Sequence, residues 1–179
     1  MESSPIIAKL RCERARVITA LDEVERLVSG AYPGSMDEIA PHRWALARDL
    51  LLHFAHVEAL VLQPMMADRR ADVAARAARS SADLRGVYDQ YRRHFDRWQG
   101  LPAESQWDEY RAAVSLLVRR IRVRLLAEES DLFPLLPVQP GTDRITPLVE
   151  PVNYAAEAWK VRSRIYLEME EAEAIRATA

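Results

Sequence analysis

Two glutamates occupy matching places in two stretches of the chain, "HFAHVEALVLQPMM" and "VRLLAEESDLFPLL". Glu58 lies six residues before Pro64, and Glu128 lies six before Pro134. Such a repeat is expected where two facing helices build one site between them. Carboxylates alone make a poor site for iron, zinc or copper, which favour imidazole nitrogen as a partner. One turn before Glu128 stands Arg124, which stays protonated and cannot ligate. One turn before Glu58 stands Phe54. The close histidine pair, His53 and His56, has the i, i+3 spacing that can hold one metal with a third ligand from elsewhere. Any bound metal would therefore draw on Glu58, Glu128, His53 and His56. Helical geometry puts His53 roughly 120° and His56 close to 180° from the centre of the local apolar stripe, so both are expected on an outer or lateral face.

The elements that position these residues read as helices. Ala, Leu, Arg and Glu dominate, glycines number five, and aromatic residues make up 7%. That composition favours helix over strand. Helices are predicted from about Pro5 to Val28, Pro41 to Met66, Ser81 to Gly100, Glu104 to Leu132 and Asn153 to Ile175. Ser4 and Ser81 are candidate caps for the first and third. The stretch "DRRADVAARAAR" is expected as a short extra helix or part of a long connection. The expected organisation is a helical bundle over 1–140, a proline-rich link over 141–152 and a C-terminal helix over 153–179. The 179 residues suffice for one domain with a substantial core.

Helical phase selects the polar residues that face inward. Glu128 falls within the stripe Val114, Leu117, Val118, Ile121, Leu125, Leu132, with Arg124 at its edge and Glu129 at the opposite, wetter edge. Glu58 falls within Ala47, Leu50, Leu51, Phe54, Val61, Leu62, Met65. Arg14 falls within Ile7, Leu10, Val17, Ile18, Leu21, Val24, Val28, and Tyr88 joins Leu84, Tyr91, Phe95 and Trp98. Two arginines and two glutamates balance in charge, and buried charges are almost always paired. A shared mid-bundle polar layer follows.

These motifs resemble the hemerythrin-like, or HHE cation-binding, family. The resemblance covers about residues 7 to 136, and "AEESDLFPLL" is its most specific piece. It implies an all-α, up-down-up-down four-helix bundle, here with an additional C-terminal helix. It also implies a carboxylate-bridged di-iron centre. Carried across residue by residue, the family's carboxylates fall on Glu58 and Glu128, while its histidine positions fall on Arg14, Phe54, Tyr88 and Arg124. The scaffold resembles a metal protein, yet its nitrogen ligands are replaced. Two guanidinium groups also repel a divalent cation. No cofactor is expected, and the chain reads as a non-catalytic binding or regulatory module, with association or a small ligand as its mode. The alternative is a di-iron or other metal protein that binds oxygen or responds to iron or oxidants through non-standard ligands.

A net charge of −2 gives no global attraction for nucleic acid. The arginines of "RRIRVR" spread around their helix instead of forming one stripe. No apolar run is long enough to cross a membrane. The single cysteine, Cys12, suits a reducing cytoplasm. No nucleophile–base pair or phosphate loop is visible. A second apolar stripe, Leu116, Val123, Leu126 and Phe133, lies opposite the core stripe of its helix. Leu46, Val57 and Leu60 form a lateral row on the second helix, with Leu52 on its other side. The last helix, with Tyr154, Ala158, Val161, Ile165 and Met169, is expected to cover one such face, and a homodimer contact near Leu46, Leu52 or Leu60 another.

Overall fold

Prolines and glycines punctuate the chain into five long helices. The computed structural model describes residues 4–136 and 152–177. The helices are α1 (Pro5–Ser29), α2 (Ala40–Val57), α3 (Ala71–Arg97), α4 (Trp107–Ala127) and α5 (Tyr154–Ala177), with no strand among the described residues. Pro5 and Pro41 sit in first turns, where a missing N–H is harmless. Ser4 does not cap α1 with its side chain; its carbonyl instead accepts from the Ala8 N–H at 3.0 Å. The expected proline-rich link falls almost wholly outside the described residues.

The third helix departs from expectation. It begins at Ala71, ten residues before Ser81, so the α2–α3 connection is short. Val73 and Ala77 are buried and extend the stripe of Ser81, Leu84 and Tyr88 by one and two further turns. The Asp68 side chain accepts from the Arg70 N–H at 2.8 Å and closes the turn. Ser81 is therefore a buried mid-helix residue and caps nothing.

Paired residues fix the helix directions. Lys9 of α1 meets His56 of α2, and Glu13 meets His53. Arg11 and Asp22 of α1 meet Glu129 and Arg122 at the far and near parts of the fourth helical segment. Asp83 and Arg97 of α3 meet Arg120 and Glu109 of α4. Arg43 of α2 donates to the Trp98 carbonyl at 2.9 Å, beyond the end of α3, and Glu58 at the other end of α2 accepts from Ser81 of α3. Successive helices from α1 to α4 thus run antiparallel. α5 runs parallel to α3, through Tyr88–Glu157 and Asp96–Arg164, and packs along α2.

α5 changes the surroundings of α2. Tyr154, Val161 and Ile165 are buried against the other helices, as expected of a covering helix. With α1 on one side and α5 on another, α2 buries two rows, one containing Ala47, Leu51, Phe54 and Glu58, the other Leu46, Leu50, His53 and Val57. Leu46 therefore belongs to the core and is not available to a second subunit. No helix is long and apolar enough to cross a membrane among the described residues.

The internal repeat has a structural counterpart. α2 and α4 each pass into a wide π-turn that starts on the glutamate, Glu58–Leu62 and Glu128–Leu132. The Gln63 N–H returns to the Glu58 carbonyl and the Phe133 N–H to that of Glu128. A proline, Pro64 or Pro134, stands two residues beyond the last residue of the turn in each case. Its ring clashes with the carbonyl four residues back in an α-helix, and a widened turn relieves that clash.

Candidate functional site

Glu128 is the centre of a buried ionic cluster. Arg124, one turn earlier on α4, donates from Nε to Glu128 Oε1 at 2.9 Å. His53 of α2 lies with Nε2 2.7 Å from Glu128 Oε2. A carboxylate only accepts, so His53 Nε2 carries the proton. All three side chains are buried. Arg124 Nη1 also donates to the Ser80 hydroxyl at 2.7 Å and the Ser80 carbonyl at 3.0 Å, fixing the guanidinium against α3.

A second carboxylate continues the cluster toward the surface. Glu13 of α1 is buried, with Oε2 3.7 Å from His53 Nδ1. Its Oε1 lies 2.8 Å from His56 Nδ1, and Lys9 Nζ lies 3.3 Å from His56 Nε2. The groups form one line from the exposed Lys9 through His56, Glu13, His53 and Glu128 to Arg124. Burial opposes charge on His53, but the carboxylates of Glu128 and Glu13 outweigh it and hold its pKa up at about 9. Burial likewise opposes charge on Glu13, while His53 and His56 bring its pKa below the ordinary value. With His53 protonated, two cations face two anions in the interior, which is the condition for burying charge at tolerable cost.

Glu58 stands apart from this line. Its Oε1 accepts from Gln63 Nε2 at 3.3 Å and from the Ser81 hydroxyl at 3.4 Å, and Arg85 Nη2 lies 3.7 Å away. Tyr154 of α5 enters between α2 and α3. Its ring packs edge-on against Phe54 and Tyr88, with centroids 6.0 Å and 5.2 Å away. Burial raises the Tyr154 pKa, and the charge of Glu58 adds to the effect, with Arg85 and Arg124 opposing. Tyr88 donates its hydroxyl to Glu157 of α5 at 2.7 Å.

The six residues assigned to one polar layer thus divide. Arg124 and Glu128 pair directly, as the sequence suggests. Glu58, Phe54 and Tyr88 gather around or beside Tyr154, which no sequence reading placed there. Arg14 is half-buried and reaches Glu129 at 3.4 Å, where Arg11 also binds. The inward acid of α1 is its neighbour Glu13. His53, expected on a lateral face, is fully buried, and His56 is half-buried at the mouth of the cluster. The signal for His53 lay in the lateral row Leu46, Val57 and Leu60, whose phase it shares. Glu13 lies three residues after Leu10 and four before Val17, so phase alone could not choose between it and Arg14.

The remaining candidates are ordinary by position. His94 is half-buried against Tyr110, and burial with Arg43 nearby pushes its pKa down to about 4. His42 is half-buried and Cys12 is exposed. Arg119, Arg120 and Arg122 point outward in different directions, and only Arg124 of "RRIRVR" turns into the core. Among the described residues no three His, Cys, Asp or Glu side chains are grouped to hold a metal ion. Comparison with family models, with curated proteins and with solved structures finds no match to this chain.

Proposed function

We propose that this chain is a hemerythrin-like up-down-up-down four-helix bundle that acts without a di-iron centre, as a non-catalytic binding or regulatory module. One observation carries the reading. Glu128, the carboxylate of the most specific motif, is held on both oxygens by protonated side chains, His53 and Arg124. Those groups supply the positive charge that a metal would supply, and each takes an acceptor site on a different oxygen of the carboxylate. A guanidinium cannot exchange its proton for a metal at neutral pH. The two matching π-turns and the antiparallel order of α1 to α4 support the bundle assignment.

Such a module works through its surface. Of the faces expected to serve a homodimer, Leu46 is buried, Leu60 is half-buried and Leu52 is 41% exposed. Phe133, at the end of the second stripe, is also buried. An open apolar face lies on α4, where Leu116, Val123 and Leu126 are 64%, 57% and 59% exposed. Association with a second copy or another protein is assigned to that face. The test of the metal-free reading is elemental analysis of protein expressed in iron-supplemented medium. Well under one equivalent of iron is expected. About two equivalents, with an oxo-bridged di-iron absorption band, would favour a metal-bearing bundle instead.

A further inference from the structure

The outer face of α4 has a defined pattern. Ala112, Leu116, Arg119, Val123 and Leu126 are all exposed and alternate in steps of four and three residues. That is the spacing of a seam that receives another helix. The seam borders the α3–α4 groove, where Leu116 and Leu117 line a cleft of about 480 Å³ beside Arg93, Arg97 and Arg120. Further along the same groove, Arg76, Arg79 and Arg124 line a second cleft of about 470 Å³ together with Asp83 and Asp131, of which Asp83 is already paired with Arg120.

Charge decides the occupant. Arg97 is paired with Glu109, and Arg120 with Asp83. Arg76, Arg79, Arg93 and Arg119 are exposed and have no ion-pair partner among the described residues. A chain with net charge −2 therefore carries a locally basic rim along an open apolar seam. A second copy docked there would bring Arg119 and the same rim against itself. A nucleic acid would match the charge but leave Leu116, Val123 and Leu126 in contact with a polyanion. An amphipathic helix with an apolar stripe and acidic flanks matches both features, in the helix-in-groove mode.

We propose that the α3–α4 groove and the outer seam of α4 dock an acidic amphipathic helix of another protein. The proposal rests on the association reading above and names its partner by chemistry. Electrostatic complementarity of this kind selects the partner and speeds its capture, while the leucines supply the buried anchor.

The test uses the full chain and a fluorescent synthetic helix of about 20 residues with leucines at heptad positions and glutamates on the flanks. A matched peptide carries lysine in place of glutamate. The chain should bind the glutamate peptide at least about tenfold more tightly, with affinity falling as salt rises. Leu116→Ser/Leu126→Ser and Arg93→Glu/Arg119→Glu should each weaken binding about tenfold or more. All four residues are exposed, so both variants should keep the parent's circular dichroism and melting temperature. Equal affinity for the two peptides, or none for either, would overturn the proposal. Tighter binding of a single-stranded oligonucleotide than of the glutamate peptide would overturn it in favour of nucleic acid. Sedimentation showing a dimer abolished by Leu116→Ser/Leu126→Ser would overturn it in favour of a second copy. Iron analysis of the same sample separates the two readings. Glutamate-peptide binding by iron-loaded protein would retain the groove and reject the metal-free bundle. Failure of binding by iron-free protein would do the reverse.

Discussion

His53 Nε2 and Glu128 Oε2 lie 2.7 Å apart, joining α2 to the end of α4 where neither side chain reaches solvent. Removing the acid takes from His53 and Arg124 their shortest buried counter-charge and leaves only the longer contacts to Glu13 at 3.7 Å and Asp83 at 3.5 Å. We expect Glu128→Ala to cost about 3–5 kcal/mol in urea denaturation. Glu129, its chain neighbour, binds Arg11 and Arg14 at a partly exposed position, where such pairs contribute about 0–1 kcal/mol. Equal losses for Glu128→Ala and Glu129→Ala would mean that the inward facing of α4 is misassigned.

The same contact makes stability fall at alkaline pH. The His53 pKa rises from 6.5 in the unfolded chain to about 9 in the folded one. A raised pKa means that the folded state holds the proton more tightly, so this contribution is complete below pH 6.5 and is lost as pH rises through about 9. Its size is on the order of 3 kcal/mol. Comparing the parent with His53→Gln removes the titration of other groups from view. The stability difference between them should shrink between pH 6.5 and pH 10, and a difference independent of pH would rule out a protonated His53. Glu13 has the opposite sign, because its depressed folded pKa gives stability that is lost as pH falls below 4.5.

Tyr154 offers a separation of packing from hydrogen bonding. Its ring is buried between Phe54 and Tyr88, while its hydroxyl has no hydrogen-bond partner among the described residues. Tyr154→Ala should therefore cost about 3–5 kcal/mol and increase amide exchange in the first turns of α5. Tyr154→Phe should be neutral or stabilising by up to about 1 kcal/mol, since it removes an unpaired buried polar group. A large loss for Tyr154→Phe would reveal a hydroxyl partner and redirect attention to the space beside Glu58.

Two glycines should respond oppositely to alanine. Gly86 lies within α3, exposed, with no atom within 4 Å of an added Cβ. Gly86→Ala should stabilise by about 0.5–1 kcal/mol through helix propensity. Gly100 has φ +68° in the turn after α3, where an L side chain is strained. Gly100→Ala should destabilise by about 1 kcal/mol or more. Thermal melts of the two single variants check the sign of each effect.

Much of this architecture was legible along the chain, because helix periodicity is a local property. The stripes of α1, α2 and α4 and the pairing of Arg124 with Glu128 follow from residues three and four apart. So does the covering role of Tyr154, Val161 and Ile165. The start of α3 was misread because its early turns are rich in arginine and alanine, so Val73 and Ala77 give only a faint stripe. The repeat of glutamate and proline pointed to a matched pair of sites, and the two π-turns give it a shape that no propensity scale contains. What the sequence by itself could not determine was which neighbour each helix face would meet. Glu13 and Arg14 lie equally close to one stripe, and only the arrival of His53 from α2 selects the acid. His53 lies off the main stripe of α2, and only enclosure by α1 and α5 gives that helix a second buried face. Tyr154 reaches Phe54 and Tyr88 across a long sequence separation. Helical phase fixes the direction of a side chain to within about one residue's rotation, 100°. Tertiary packing decides whether that direction ends in water, in a leucine or in a carboxylate.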